Sequence, residues 1–284
     1  MVMRELPPLR EMIAEYGLRA DKSFGQHFLL DLNLTAKIAS LCGTVTDAVL
    51  IEVGPGPGGL TRPLLALSPK RMVALEMDAR FIPALEATGD AFDVPFSVIQ
   101  GDALKADEAG IAAGEPCVIA SNLPYNVGTA LLIKWLKADP LFWRRMVLMF
   151  QKEVAERVVA PTGSKAYGRL AILTAAVASA RIALKAPARA FTPPPKVDSA
   201  VVVFEPLADD KRFRDLAALE VVTESAFGQR RKTLRKSLGV AAGKAGTSAE
   251  ALLTAAGIDP GARAETISPE GFFKLAEAWR AART

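Results

Sequence analysis

The residues Asn122-Leu123-Pro124-Tyr125 point to a definite chemistry. The exocyclic amine of adenine is a poor nucleophile because its lone pair is delocalised into the ring. The side-chain carbonyl of Asn122 and a backbone carbonyl beside Pro124 can accept both N–H bonds, which favours a pyramidal nitrogen with its lone pair free. Pro124 stiffens the turn, and Tyr125 offers a flat face for the base. The segment therefore predicts attack of an adenine amine on a methyl group; the alternative is a polar turn that ends a strand.

A glycine-rich turn, residues 54–59, follows an apolar run that contains Glu52. Glycines such as Gly54 and Gly56 let a ligand approach the backbone. No Lys-Ser/Thr pair follows, which excludes a nucleoside-triphosphate P-loop. Glu76 ends the next apolar run, where its carboxylate can accept hydrogen bonds from ribose hydroxyls. This pattern fits both NAD and S-adenosylmethionine, and a plain strand-to-helix turn remains the alternative.

Asp102 follows Gly101 at the end of a third apolar run. A carboxylate in that place can accept a hydrogen bond from an adenine amine. A turn or a helix N-cap is the alternative role of such an Asp.

Two further segments carry aromatic side chains. Residues 22–29 precede the first strand and could fold over a cofactor, although an ordinary loop is the alternative. Residues 191–199 contain three prolines, which give a stiff, extended loop. That loop could hold Phe191 as a second stacking face opposite Tyr125, or act only as a rigid linker.

A cluster of cations follows Phe227. We predict that these side chains lie on one helix and contact phosphates; a solvated helix face is the alternative. The predicted RNA-binding residues are Arg230, Arg231, Lys232, Arg235 and Lys236.

Short, nearly continuous apolar runs must position these residues. Such runs are typical of strands buried on both faces of a parallel sheet, and the intervals between them fit crossover helices such as 60–67 and 129–137. The predicted strands are 48–53, 72–75, 96–99, 117–120, 146–150, 183–186 and 200–204. After Pro206 the pattern changes to short helices broken by glycines. We therefore predict a doubly wound α/β domain over 1–207 and a small all-helical domain over 208–284.

Composition excludes several classes of protein. The net charge is only +4, and the basic excess lies mainly after Leu207. His27 is the only histidine, which argues against a zinc site and a Ser-His-Asp triad. Cys42 and Cys117 lie far apart, so a reduced, intracellular protein is expected. The charged N-terminal residues are not expected to form a signal peptide, and the longest apolar stretch, 170–180, predicts a buried helix.

Together these segments resemble the ribosomal RNA adenine N6,N6-dimethyltransferase family, from Lys22 to about Lys236. The motifs Asn122–Tyr125 and Phe191–Ser199 are more similar to its small-subunit branch than to its large-subunit branch. The resemblance implies a Rossmann-like class I methyltransferase sheet and S-adenosylmethionine as the cofactor. The family's cofactor contacts carry over to His27, Leu29, Gly54, Glu76, Asp102 and Asn122. His27 stands where some relatives have Asn, a change without effect if the contact is made through the backbone.

By the same resemblance, the substrate is a pair of adjacent adenosines in the 3′-terminal hairpin of small-subunit rRNA, each receiving two methyl groups. The resemblance also implies a role in assembly of the immature small subunit. We expect a cytoplasmic monomer that uses no metal and binds no membrane.

Three other functions stay open at the level of sequence. A methyltransferase could act on large-subunit rRNA or on DNA adenine. A NAD-dependent dehydrogenase could use the same glycine turn, although no proton-relay residue is evident. A catalytically silent RNA-binding assembly factor would fit the basic segment but leave Asn122–Tyr125 unexplained.

Overall fold

The computed structural model describes residues 6–20 and 26–283. Nine strands are present in these ranges: β1 (Phe28–Leu29), β2 (Val49–Val53), β3 (Arg71–Glu76), β4 (Phe96–Gln100), β5 (Cys117–Asn122), β6 (Trp143–Gln151), β7 (Ala178–Ala186), β8 (Phe191–Thr192) and β9 (Ser199–Pro206). Seven of them form one sheet in the order β4-β3-β2-β5-β6-β9-β7, while β1 and β8 form a separate antiparallel pair. All seven predicted strands are present, although β7 begins at Ala178 and so extends beyond the predicted strand 183–186.

The sheet is mixed. Strands β2 to β6 pair in parallel, and β9 runs antiparallel to β6. All five residues of β2 are buried, as are the first five of β5. Helices that cover both faces of a parallel sheet explain why these strands are apolar throughout rather than alternating. The predicted doubly wound, Rossmann-like α/β fold is confirmed.

The strand order places a topological switch point between β2 and β5. From β2 the chain moves outward to β3 and β4, and it then returns to the other side of β2 as β5. In open α/β sheets, ligands bind in the crevice outside the carboxyl ends of the strands at such a point. The glycine-rich turn follows β2 and the Asn122 segment ends β5, so both lie at this crevice.

Thirteen α-helices occur in the described part of the chain. They are α1 (Leu9–Glu15), α2 (Leu32–Ser40), α3 (Thr61–Leu65), α4 (Ile82–Gly89), α5 (Glu108–Ala112), α6 (Gly128–Leu136), α7 (Lys152–Val158), α8 (Arg169–Val177), α9 (Leu216–Gly228), α10 (Leu234–Ser237), α11 (Gly239–Lys244), α12 (Ala249–Ala255) and α13 (Pro269–Ala281). Side chains cap several of them, for instance Asp31 on α2 and Ser268 on α13. The predicted crossover helices 60–67 and 129–137 correspond to α3 and α6.

The apolar stretch 170–180 differs from its prediction as one helix. Helix α8 ends at Val177, and Ala178 has extended backbone angles that begin β7. The helical part is buried on almost every side, which explains why its sequence shows no polar face.

The chain forms two compact units. The first contains the described residues of 1–155 and 181–206 and includes the large sheet except for the start of β7; the second contains the described residues of 156–180 and 207–284. The predicted boundary near Leu207 matches one end of the division. The structure adds 156–180 to the helical unit, because α8 packs there against α9 and α13. A separate RNA-binding role for the helical unit stays a prediction.

No helix in the described part of the chain has the length and apolar character to cross a membrane. The His, Cys, Asp and Glu side chains of the same residues form no group of three that could hold a metal. Cys42 and Cys117 are buried free thiols, and burial raises the pKa of each to about 12. Cys117 is a core residue, as predicted.

Candidate functional site

A cavity of about 320 Å³ lies at the carboxyl ends of β2, β3 and β5, within the first compact unit. This volume is within the range of small-molecule sites, roughly 300–1,000 Å³. The predicted cofactor-binding residues all line it: His27, Leu29, Gly54, Gly56, Glu76, Asp102 and Asn122. Leu123, Pro124 and Tyr125 line the same cavity. The structure thus brings the predicted cofactor residues and the predicted adenine-binding segment to one place.

The glycine-rich turn forms one wall of this cavity. Gly54, Gly56 and Gly58 have φ angles of +66°, +55° and +87°, a region in which side chains are strained. At Gly59, an added Cβ would lie 2.3 Å from the carbonyl oxygen of Leu29. These positions require glycine because of backbone angle at the first three and close approach at the fourth.

Glu76 ends β3 and fixes the glycine-rich turn. Its carboxylate accepts hydrogen bonds from the backbone N–H of Gly56 (2.9 Å) and of Asp78 (2.8 Å). Burial raises the pKa of Glu76, and these two amide donors oppose the rise. A carboxylate has about four acceptor positions, so Glu76 can hold the turn and still accept hydrogen bonds from a ligand.

Glu52 is a second carboxyl group in the wall of the cavity. It is 1% exposed and accepts a hydrogen bond of 2.7 Å from the hydroxyl of Thr61. Burial, with a smaller contribution from the charge of Glu76, raises the pKa of Glu52 to about 8. Burial therefore favours the protonated form of this carboxyl group.

Asp102 begins a tight turn after β4. One of its carboxylate oxygens accepts the N–H of Leu104 at 2.9 Å, and its backbone carbonyl accepts the N–H groups of Lys105 and Ala106. Asp102 therefore does stabilise a turn, which was the alternative role that the sequence left open for it. The carboxylate keeps further acceptor positions, and Asp102 lines the cavity.

Asn122 lies at the last position of β5. Its amide nitrogen donates to the backbone carbonyl of His27 at 3.3 Å, which leaves its side-chain carbonyl for another donor. The carbonyl of Pro124 accepts the N–H groups of Val127 and Gly128. The other backbone carbonyl beside Pro124 is that of Leu123.

Tyr125 is held from both ends. Its hydroxyl forms a 2.7 Å hydrogen bond with the hydroxyl of Ser199, the first residue of β9. Its ring lies 5.5 Å, centroid to centroid, from the ring of His27. The His27 ring in turn contacts the carbonyl of Pro193 through Nδ1 at 2.8 Å. The side chain of His27 is thus engaged with the proline loop.

Residues 26–29, ahead of β2, line the cavity and contain the short strand β1. Phe28 and Leu29 pair antiparallel with Thr192 and Phe191, so this segment and the proline loop support each other. The side chain of Gln26 donates to Asp78 at 3.2 Å. The part of the predicted covering segment from Lys22 to Gly25 lies outside the described residues.

Phe191 does not lie where its predicted stacking role places it. Its side chain is 3% exposed and packs in the core with Leu29, and it is not part of the cavity lining. Pairing of β1 with β8 turns the ring inward. A stacking role for Phe191 stays a prediction that requires this ring to leave the core.

The basic segment belongs to the second compact unit and differs from the predicted helix. Helix α9 ends at Gly228, and residues 229–232 form a turn closed by the N–H of Lys232 on the carbonyl of Gln229. Only Arg235 and Lys236 lie on a helix, the short α10. The prediction of one helix is wrong because Thr233 bridges to Arg263, which holds the backbone extended between α9 and α10. All five predicted cations are exposed.

Sequence reasoning missed three contributors to the site. Glu52 lies inside the glycine motif, where its burial could have been inferred from the apolar residues around it. Asp78 lines the cavity two positions after Glu76 and forms an ion pair with Arg80. Ser199 stood at the end of the proline motif, but no local signal shows that it contacts Tyr125.

The chemistry of the lining suits a nucleoside that carries no negative charge. Glu76 and Asp102 offer acceptors for hydroxyl and amine donors at the ends of adjacent strands. Side chains such as Leu104 and Leu131 add apolar surface against which a base can pack. Among the described residues, the lining contains Asp and Glu but no Lys or Arg. These residues fit a nucleoside with a cationic centre better than a pyrophosphate.

Comparison with known proteins agrees with this chemistry. The sequence matches the family described as ribosomal RNA adenine dimethylase over residues 17–280. It is 60% identical to the ribosomal RNA small subunit methyltransferase A of Maricaulis maris (strain MCS10), with 99% of this chain and 98% of the relative covered. The protein of the same name in Phenylobacterium zucineum (strain HLK1) is 54% identical, with 100% and 96% covered.

Two solved structures are similar over most of the chain. A dimethyladenosine transferase from Plasmodium falciparum superposes with a TM-score of 0.76 at 24% identity, covering 90% of this chain and 98% of the other, and it supports the fold. The 23S rRNA methyltransferase ErmE superposes with a TM-score of 0.66 at 26% identity, with 89% and 99% covered. The family match over residues 17–280 and the whole-length relatives lead to one conclusion: this chain belongs to the ribosomal RNA adenine dimethylase family.

Proposed function

We propose that this protein transfers methyl groups from S-adenosylmethionine to N6 of two adjacent adenosines in the 3′-terminal hairpin of small-subunit rRNA, giving N6,N6-dimethyladenosine. The observation that carries the proposal is the meeting of Glu76, Asp102 and Asn122–Tyr125 in one cavity. The whole-length relatives named for the small subunit support this choice of RNA over large-subunit rRNA or DNA.

The cavity residues divide between the two ligands. Glu76 would accept hydrogen bonds from the ribose hydroxyls of S-adenosylmethionine, and Asp102 one from its adenine amine. Gly54 and Gly56 give the room for close approach, and the backbone of His27 and Leu29 covers the ligand. When bound, S-adenosylmethionine supplies a methyl group already activated by its sulfonium charge.

Asn122 and Leu123 would activate the target amine. Their two carbonyl oxygens accept its N–H bonds, so the nitrogen becomes pyramidal with its lone pair directed away from the ring. Tyr125 stacks on the base, which must first leave its stack in the RNA at a cost of a few kcal/mol. Positioning of the two reactants provides most of the catalysis. A proton leaves the nitrogen after transfer, so the site needs no strong base.

The basic segment would contact the RNA backbone. Arg230, Arg231, Lys232, Arg235 and Lys236 are exposed cations in the helical unit, as phosphate contacts require. We further propose that the enzyme acts in the cytoplasm as a monomer on immature small subunits, and that its binding contributes to their assembly.

The deciding experiment is transfer of labelled methyl groups to unmethylated small ribosomal subunits, followed by nucleoside analysis. Large subunits and duplex DNA serve as alternative substrates. We expect dimethyladenosine in small-subunit rRNA alone. Asn122→Ala should lose on the order of 100-fold in single-turnover rate, as when a positioned transition-state hydrogen bond is deleted. Methylation of either alternative substrate in preference, or a parental rate for Asn122→Ala, would overturn the proposal.

A further inference from the structure

The turn that presents Asp102 to the cavity is held by a partly buried cluster, Lys134, Glu108 and Trp135, none of which lines the cavity. This turn, residues 102–106, contributes Asp102, Ala103 and Leu104 to the lining. Helix α6 lies beside it, and the ammonium group of Lys134 donates to the carbonyls of Ala103 (2.7 Å) and Ala106 (2.6 Å). One cation therefore binds both arms of the turn.

The third hydrogen bond of Lys134 goes to a buried carboxylate. Its ammonium lies 2.6 Å from Oε2 of Glu108, which is 2% exposed. The other oxygen of Glu108 accepts the indole N–H of Trp135 at 2.9 Å, and Trp135 is fully buried. An ammonium has three donors, and here each has an acceptor. The set is satisfied, as a buried polar group must be if it is not to destabilise the fold.

Helix α6 joins this cluster to the segment Asn122–Tyr125, where methyl transfer is proposed. The helix begins at Gly128, whose N–H donates to the carbonyl of Pro124, and it reaches Lys134 near its last turn. Leu131, between them, lines the cavity. Helix α6 thus connects the segment Asn122–Tyr125 with the Asp102 turn. Lys134 attaches the C-terminal end of the helix to that turn.

We propose that Lys134, with Glu108 as its buried counter-ion, is a positioning residue that sets the place of Asp102 and so the selectivity for the adenine of S-adenosylmethionine. The inference rests on the proposed function. Lys134 contacts no ligand; its ammonium fixes the carbonyls on either side of the turn, and the turn fixes the carboxylate. Without it, Asp102 keeps its own bond to Leu104 but loses its fixed distance from the adenine amine.

The test compares two ligands by calorimetry. One is S-adenosylmethionine, and the other is its analogue with hypoxanthine in place of adenine, whose 6-oxo group accepts where the amine donates. The parent should prefer the adenine ligand by about tenfold or more, the worth of one hydrogen bond to a charged group. Asp102→Asn, the reference variant, should lose this preference. Lys134→Met should lose most of it as well.

Lys105→Met is the matched control, because it removes an exposed ammonium from the same turn; it should keep the parental preference. Lys134→Met leaves the carboxylate of Glu108 buried without its counter-ion, which can prevent folding. The double variant Lys134→Met/Glu108→Gln removes both charges, and it should fold and still lack the preference.

The outcomes separate the two proposals. A folded Lys134→Met or double variant that binds both ligands more weakly by the same factor, or that keeps the parental preference, overturns the positioning role while methyl transfer by the parent still stands. A parent that does not bind S-adenosylmethionine overturns the proposed function, and this inference with it.

Discussion

Tyr125 shows how one residue depends on a partner distant in sequence. The proposed role of its ring is to stack on the target base, and its hydroxyl bonds to Ser199, which is 1% exposed. Removing the hydroxyl of Tyr125 leaves the hydroxyl of Ser199 buried without its partner. The ring would then be less firmly held, although its flat face remains.

We predict different losses for two changes at this position. Tyr125→Phe should cost about 1 kcal/mol in transition-state stabilisation, the worth of a neutral hydrogen bond. Tyr125→Ala should cost about 1–3 kcal/mol more, because base stacking is lost too. Single-turnover methylation of unmethylated small subunits at saturating cofactor measures both. The base-stacking role would be wrong if the two variants were equally impaired.

Ser199→Ala is the matched control for the hydroxyl pair. Because the two hydroxyls share one hydrogen bond, the double variant Tyr125→Phe/Ser199→Ala should lose no more rate than the worse single variant. Additive losses would show that the hydroxyls act independently.

The buried carboxyl group of Glu52 gives a pH-dependent stability. Its pKa of about 8 in the folded protein, raised by burial, compares with about 4.3 in an unfolded chain. Ionisation of Glu52 is therefore less favourable in the folded protein than in the unfolded chain. The stability that the neutral form contributes is fully present below the unfolded pKa, and it is lost as the pH rises from there to about 8.

We predict that Glu52→Gln removes this dependence. The free energy of unfolding of the variant, relative to the parent, should rise with pH between about 5 and 8, by at most about 1.4 kcal/mol per pH unit. Urea unfolding of both proteins at several pH values measures it. Glu76, whose pKa is raised as well, is present in both proteins, so its contribution to the difference in unfolding free energy largely cancels. A constant difference across this range would show that Glu52 ionises normally.

At the scale of elements, the turn between α9 and α10 carries the main cationic segment of the helical unit. Arg230, Arg231 and Lys232 lie on this turn and Arg235 and Lys236 on α10, all of them exposed. A turn fixed by the bridge from Thr233 to Arg263 can present cations in more directions than one face of a helix. This arrangement suits contacts with phosphates of a folded RNA.

We predict that Arg230→Ala/Arg231→Ala weakens RNA binding and lowers the slope of log K against log salt by roughly 0.7–0.9 for each lost phosphate contact. Affinity for S-adenosylmethionine should not change. The control is Lys244→Ala/Lys274→Ala, which removes the same charge from exposed positions elsewhere in the unit. The role of the turn would be refuted if the control variant lowered the slope equally, or if the arginine variant kept the parental slope.

For the whole molecule, the proposed cofactor links ligand binding to stability. A ligand that binds only the folded state, at 100 times its dissociation constant, stabilises that state by about 2.7 kcal/mol. We predict this gain for the unfolding of the unit that contains the cavity. Glu76→Ala should lose about 1.5–3 kcal/mol of binding free energy, the range for hydrogen bonds to a charged group.

Thermal and urea unfolding with and without S-adenosylmethionine measure this linkage. Because it binds S-adenosylmethionine more weakly, Glu76→Ala should show little stabilisation at the cofactor concentration that protects the parent. Glu86→Ala, at an exposed position on α4 outside the cavity lining, is a suitable control. Equal protection of Glu76→Ala and parent would exclude Glu76 from the cofactor site.

The sequence by itself determined the strands and the placing of motifs at their ends. Buried parallel strands are apolar throughout, so their positions are visible as short runs, and their carboxyl ends meet at one edge of the sheet. Gly54, Glu76, Asp102 and Asn122 are therefore predicted to lie together from the sequence alone. The family resemblance then supplied the chemistry that they share.

Only the tertiary structure decided what the side chains between these motifs contact. The bond from Tyr125 to Ser199, the hold of Lys134 on the Asp102 turn, and the burial of Phe191 all join residues far apart in the chain. The bridge from Thr233 to Arg263 likewise replaced a predicted helix by a turn. Helix and strand periodicity reports which face of a segment is buried, but not which partner covers it. These contacts depend on packing between distant segments, and no local pattern in the sequence contains that information.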